Sequence, residues 1–259
     1  MSDSPTRRYY AAASSILSTI VDTQADNIRR AAEACAAAIL RDRLVHLFGS
    51  GHSRIPVEEV FPRYGSFPGF HPIVELSLTF HNAVVGANGQ RQAMFIENVS
   101  GLAARILRNF SLSTDDVMLV FSNSGTNVVP VEMAQEAGRL GMITIAVTSE
   151  PSAAVARQQD PTRAILADVC DIVIDTGVPP GDAVVWVDGL ETPVAPVSSI
   201  GGCFVANALK AEVAQILTEN GKPPSVLTSP VHVGRERSAE LFEETYDDYR
   251  RRVRVLFDD

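Results

Sequence analysis

Cysteine is scarce in this chain: Cys35, Cys170 and Cys203 are the three in 259 residues. They lie far apart, each in an apolar stretch. That excludes a disulfide framework and leaves buried thiols in a reducing cytoplasm as the expectation. No window approaches the ~20 consecutive apolar residues of a membrane span, and Met1 to Arg8 lacks an apolar signal core. A cytoplasmic protein with no membrane partner is expected. Basic runs are equally sparse. The single cluster, Arg250-Arg251-Arg252 with Arg254, is bracketed by Asp247-Asp248 and Asp258-Asp259 in a chain of net charge −9. A nucleic-acid binder would show a basic face, so no nucleic-acid partner is expected. The cluster reads instead as a solvated helix face or a subunit contact. No His, Cys or Asp group has metal-ligand spacing, so no metal is expected.

What is present is an ordinary globular composition, 46% hydrophobic and 20% charged, in a length that suits one large α/β domain. Residues 1–43 read as a helical hairpin. Ile16, Ile20 and Val21 form one apolar stripe, Thr23 and Asp26 stand at capping-box-like spacing, and Ile28, Ala31, Cys35 and Ile39 form a second stripe. The thin, Ala-rich face suits docking on a second copy, so a homo-oligomer, dimer or tetramer, is expected.

From Leu44 onward strands alternate with helices. Leu44–Phe48, Phe70–Leu76, Val117–Phe121, Met142–Val147 and Asp171–Asp175 read as strands. Helices are expected over Pro56–Tyr64, Ala93–Phe110, Pro130–Leu140 and Gly202–Thr218. That rhythm predicts a doubly wound parallel sheet of five strands in a three-layer α/β sandwich. Gly177–Pro196 interrupts it with a candidate hairpin around Asp188-Gly189. The α/β domain is expected over 44–222, with a tail over 223–259 whose helix, within Ala239–Val255, packs on the same domain.

Two strands run into small, hydroxyl-rich loops that lead directly into helices: Gly49-Ser50-Gly51-His52-Ser53, and Ser122-Asn123-Ser124-Gly125. Ser198-Ser199 stands before the late helix in the same manner. Such loops gather backbone N–H groups, hydroxyls and a positive helix end at one point, which suits a phosphate dianion without a lysine. Gly49-Ser50-Gly51 also opens like a dinucleotide fingerprint, but Arg54 occupies the third glycine position and would crowd helix against strand. No nicotinamide or other cofactor is expected.

The run Asp116 to Gly125, with the amphipathic helix ending at Gly141 and the strand ending Ala146-Val147-Thr148-Ser149, resembles the signature of the SIS (sugar isomerase) domain family. The first glycine loop and Pro196-Val197-Ser198-Ser199 extend the resemblance over Ile28 to Leu217. It implies a flavodoxin-like fold and a phosphorylated sugar as ligand. On phosphoheptose isomerase-like lines it implies aldose–ketose isomerisation, with a non-catalytic phosphosugar sensor or an etherase-like lyase acting on an amino-sugar phosphate as alternatives. The implied phosphate ligands are Ser53, Ser122, Asn123 and Ser124, with Ser50, Ser198 and Ser199 nearby. Asn127, beside Thr126, stands where the family often has Ser or Thr.

Isomerisation needs a base to move a carbon-bound proton. Glu58 and Glu59 follow the first loop on a helix, and residues 100° apart cannot both face the site; Glu59 is preferred. Proton relay is assigned to His81, and further substrate contact to His52 and Glu212. His46, inside the first strand, reads as structural.

Overall fold

The computed structural model describes residues 4–79 and 89–257. Five parallel strands form its sheet: β1 (Val45–Gly49), β2 (Phe70–Pro72), β3 (Val117–Phe121), β4 (Ile143–Thr148) and β5 (Ile172–Asp175), in the order β2-β1-β3-β4-β5. Their side chains alternate between two apolar layers, as strand geometry requires. Val45, Leu47, Val117, Leu119 and Phe121 face one layer, while Phe48, Met118 and Val120 face the other. Because both faces are covered, β1 and β3 are buried along their whole length, which explains their unbroken apolar sequence.

The first layer is built by α1 (Pro5–Leu40), α2 (Arg54–Val60) and α9 (Ser198–Glu219). The opposite layer holds α5 (Leu102–Leu107), α6 (Val128–Arg139) and the short α8 (Leu166–Val169). Between them in sequence come α3 (Leu76–Thr79), α4 (Gly89–Ile96) and α7 (Glu150–Gln159). A two-stranded antiparallel ribbon, β6 (Ala183–Val185) with β7 (Val194–Pro196), is the expected hairpin with a longer loop. The tail forms α10 (Pro230–Val233) and α11 (Arg235–Val253). Among the described residues α9 alone is long and apolar enough to cross a membrane, and here Val205, Leu209 and Val213 bury it in the core.

The expected N-terminal helix pair is instead one continuous helix of 36 residues. Thr23 does not cap a second helix, because its hydroxyl donates back to the Thr19 carbonyl at 2.7 Å. A Thr bonded in this way stays inside a helix. The Ala-rich stripe faces the same chain: Ile28, Ala31, Cys35 and Ile39 are buried in the apolar layer that α1 shares with α9. The face reserved for a second copy is therefore already covered. The helix expected over Ala93–Phe110 is broken into α4 and α5, with Gly101 at φ +84° and its amide donating to Glu132. The strand expected over Phe70–Leu76 is trimmed to an edge strand ending at Pro72, a place where proline costs no ladder bond. The helix expected over Pro56–Tyr64 stops at Val60, ahead of Pro62.

Candidate functional site

In a sheet of this order the connections after β1 and β3 leave in opposite directions, to α2 in one layer and α6 in the other. A crevice opens at the carboxyl ends of those two strands. Gly49 and Phe121 are paired across it, so the two small-residue loops start side by side. The crevice holds a cavity of about 290 Å³, near the lower end of the ~300–1,000 Å³ usual for small-molecule sites.

Each loop is shaped by a close approach. A Cβ on Gly49 would lie 2.3 Å from the Ser53 carbonyl oxygen, so the turn from β1 into α2 closes only on glycine. Gly125 stands at φ +63° with the Thr148 hydroxyl 2.7 Å from its Cβ position, and its carbonyl accepts from the Leu166 amide at 2.8 Å. The hydroxyls are not consumed by capping. Ser53 precedes α2 and Asn127 precedes α6, and neither side chain caps its helix. Ser122 and Ser124 accept only long contacts, from the Gly125 amide at 3.3 Å and the Thr126 hydroxyl at 3.2 Å.

Of the expected residues, Ser50, His52, Ser53, Ser122, Asn123, Ser124, Asn127, Ser198 and Ser199 line the cavity. Thr126 bonds to Ser124 behind it. Two of the lining serines have different tasks from those expected. Ser50 donates to Glu97 Oε2 at 2.7 Å. Ser198 gives both its amide (2.7 Å) and its hydroxyl (2.6 Å) to Asp182, so it is committed to a carboxylate rather than to a phosphate.

The expected acids lie elsewhere. Glu58 is on the outside of α2, paired with Arg54 at 3.2 Å. Glu59 faces α9, where Asn207 donates to its Oε1 at 2.8 Å and Arg63 holds Oε2. Partial burial would raise the Glu59 pKa, but those hydrogen bonds prevail and hold it below the usual carboxylate value. A base for work near neutrality needs the opposite shift. Lys210 completes this brace by donating to the Glu59 carbonyl at 2.9 Å. Glu212 pairs with Arg29 on α1 at 2.9 Å, outside the cavity. His81 lies outside the described residues.

The carboxylates that do line the cavity are Glu97, just beyond α4, and Asp182, in the turn before β6. Neither has a sequence signal. Glu97 sits within a run that reads as continuous helix, and Asp182 follows Gly181 as an ordinary turn residue would. Among the described lining residues there is no Lys or Arg, and no group of three or more His, Cys, Asp or Glu is placed to hold a metal ion.

Residues 8–149 match the SIS domain. A UPF0309 protein of Listeria innocua is 31% identical over 242 residues, covering 93% of this chain and 94% of its own length. A UPF0309 protein of Brucella anthropi is 33% identical over 237 residues, 91% of this chain and 94% of its own. Among solved structures, a phosphoheptose isomerase from Francisella tularensis superposes with a TM-score of 0.54 at 15% identity, covering 81% of this chain and 96% of that one. The sugar isomerase domain of an RpiR transcription factor from Sphaerobacter thermophilus gives 0.50 at 17% identity, covering 95% and 99%. At such identities these two likenesses concern the fold.

Proposed function

The chain belongs to the SIS domain family, and we propose that it binds a phosphorylated sugar in the β1–β3 cavity and interconverts its aldose and ketose forms. The observation that carries this reading is the set of uncapped hydroxyls around one crevice: Ser53, Ser122 and Ser124, with Asn127 at the start of α6. A phosphate there accepts from neutral donors and from a helix end, so it needs no cation. The phosphoheptose isomerase likeness in fold supports the same ligand class.

For the chemical step the group in position is Glu97. Its carboxylate lines the cavity and is oriented by the Ser50 hydroxyl. Its own carbonyl accepts from the Val129 amide at 2.9 Å, which ties it to the first turn of α6 and so to the phosphate loop. Glu97 takes the proton from the carbon beside the sugar carbonyl, and the electrons move to the carbonyl oxygen to give an enediolate. The hydroxyl proton on the neighbouring oxygen passes to that oxygen, a carbonyl re-forms at the neighbouring carbon, and Glu97 returns its proton to the former carbonyl carbon.

Glu97→Gln removes that base with little change of shape. Turnover should fall by about 10²–10⁴, the worth of a positioned general base, while phosphosugar affinity persists. Glu59→Gln should leave turnover within about twofold, because its carboxylate braces α2 against α9. Proton exchange at the carbon beside the carbonyl, followed by NMR in heavy water, reads both. Exchange lost with Glu59→Gln and kept with Glu97→Gln would overturn the assignment. A wild-type protein that binds a phosphosugar without exchange would be a sensor or an etherase-like lyase.

A further inference from the structure

The cavity has a second wall that plays no part in holding a phosphate. Asp182, which lines it, stands at φ +68°, a left-handed conformation that Asp and Asn tolerate better than other side chains. Its Oδ1 accepts from the amides of Val197 at 2.9 Å and Ser198 at 2.7 Å, and its Oδ2 from the Ser198 hydroxyl at 2.6 Å. Those amides open α9, so the positive end of that helix is met by a carboxylate of the protein. A phosphate is thereby directed to the α6 side. The Glu97 carboxylate lines the same cavity. Asn123 adds a buried Oδ1 acceptor with no protein partner. No Lys or Arg among the described lining residues offsets these acceptors.

We propose that Asp182 decides which phosphosugars enter: those with one anionic group, the phosphate, and with hydrogen-bond donors, hydroxyl or ammonium, at the opposite end. A second anion would come against two carboxylates in a confined space, where like charges repel strongly. An ammonium would be drawn to them. This inference rests on the cavity being a phosphosugar site.

Calorimetric titration with a hexose 6-phosphate, a 2-amino-2-deoxyhexose 6-phosphate and a hexonate 6-phosphate tests it. The wild-type protein should bind the amino sugar at least as tightly as the neutral one, and the acid about tenfold or more weakly. Asp182→Asn keeps an acceptor for the two α9 amides and suits the backbone angle, so it should narrow the gap between acid and neutral sugar about tenfold. Asp182→Gly, which also suits that angle and removes the charge, serves if the first variant does not fold. If all three ligands bind and neither variant changes their order, the proposal is overturned while the phosphosugar reading stands. The same holds if the acid binds the wild type as tightly as the neutral sugar. If none of the three binds the wild type, the phosphosugar reading falls and this proposal with it.

Discussion

At the scale of single residues, two kinds of polar group are held in the α/β core in opposite ways. Ser124 keeps its hydroxyl in long, weak contacts at the cavity wall, which suits a group whose stronger partner is a ligand. Ser124→Ala should weaken phosphosugar binding by about 1.5–3 kcal/mol, the range for hydrogen bonds to a charged acceptor. Calorimetry measures this, and an unchanged melting temperature without ligand shows that the fold is intact. His71 is held for structure. It lies between His46, Phe110 and Tyr249, with Nδ1 3.1 Å from the Tyr249 hydroxyl. Burial, helped by the neighbouring His46, pushes its pKa down to about 4, although Asp116 opposes the shift. Below its ordinary value of ~6.5 the unfolded chain binds a proton that the folded chain refuses, so stability is lost as pH falls. Between pH 7 and about 4 the loss should reach up to about 3 kcal/mol. Urea midpoints across that range measure it, and His71→Phe should flatten the slope. Asp116 acts lower down. Burial would raise its pKa, but His46, the Arg43 fork and the Leu44 amide together hold it well below the usual carboxylate range. Its contribution is therefore present above ~3.9 and is lost only under stronger acid.

At the scale of elements, the two loops work because glycine lets a strand turn into a helix without a Cβ in the way. Gly49→Ala places a Cβ 2.3 Å from the Ser53 carbonyl, and backbone cannot yield as a side chain can. The loop must open, at about 1–3 kcal/mol of stability, and Ser53 moves off the phosphate. Phosphosugar affinity should fall more than tenfold while far-UV dichroism stays native, and affinity at the wild-type level would show that the loop does not hold the ligand. These loops were legible in the sequence because glycine and serine at a strand end have a local cause. The strands β1 and β3 were legible for a related reason: a fully buried strand must be apolar throughout. The single α1 was not. Thr23 and Asp26 have the local form of a helix start, and what overrides it is packing of the Ala-rich stripe along α9, which no short window contains.

At the scale of the whole molecule, the cavity joins pieces that are far apart in the chain. Ser50 and Glu97 meet across 47 residues, and Asp182 and Ser198 meet through the turn before β6. Glu59 looked suitable from its nearness in sequence to the first loop, yet helix rotation turns it toward Asn207 of α9. Which face of α2 meets the cavity depends on where α9 lies, and that is a property of the assembled fold. Glu97 and Asp182 become visible only once the sheet order puts the ends of β1 and β3 together. The central claim is that a phosphosugar sits between those two ends. Hydrogen–deuterium exchange with and without a saturating hexose 6-phosphate tests it most directly, since a bound ligand shields the amides that it contacts and slows the local opening that exposes them. Slowed exchange in 49–54 and 122–129, extending only to the other stretches that line the cavity around Glu97, Asp182 and Ser198, is the predicted result. Protection away from the cavity, as along the groove between α5 and Phe257, or none with any phosphosugar tried, would contradict it.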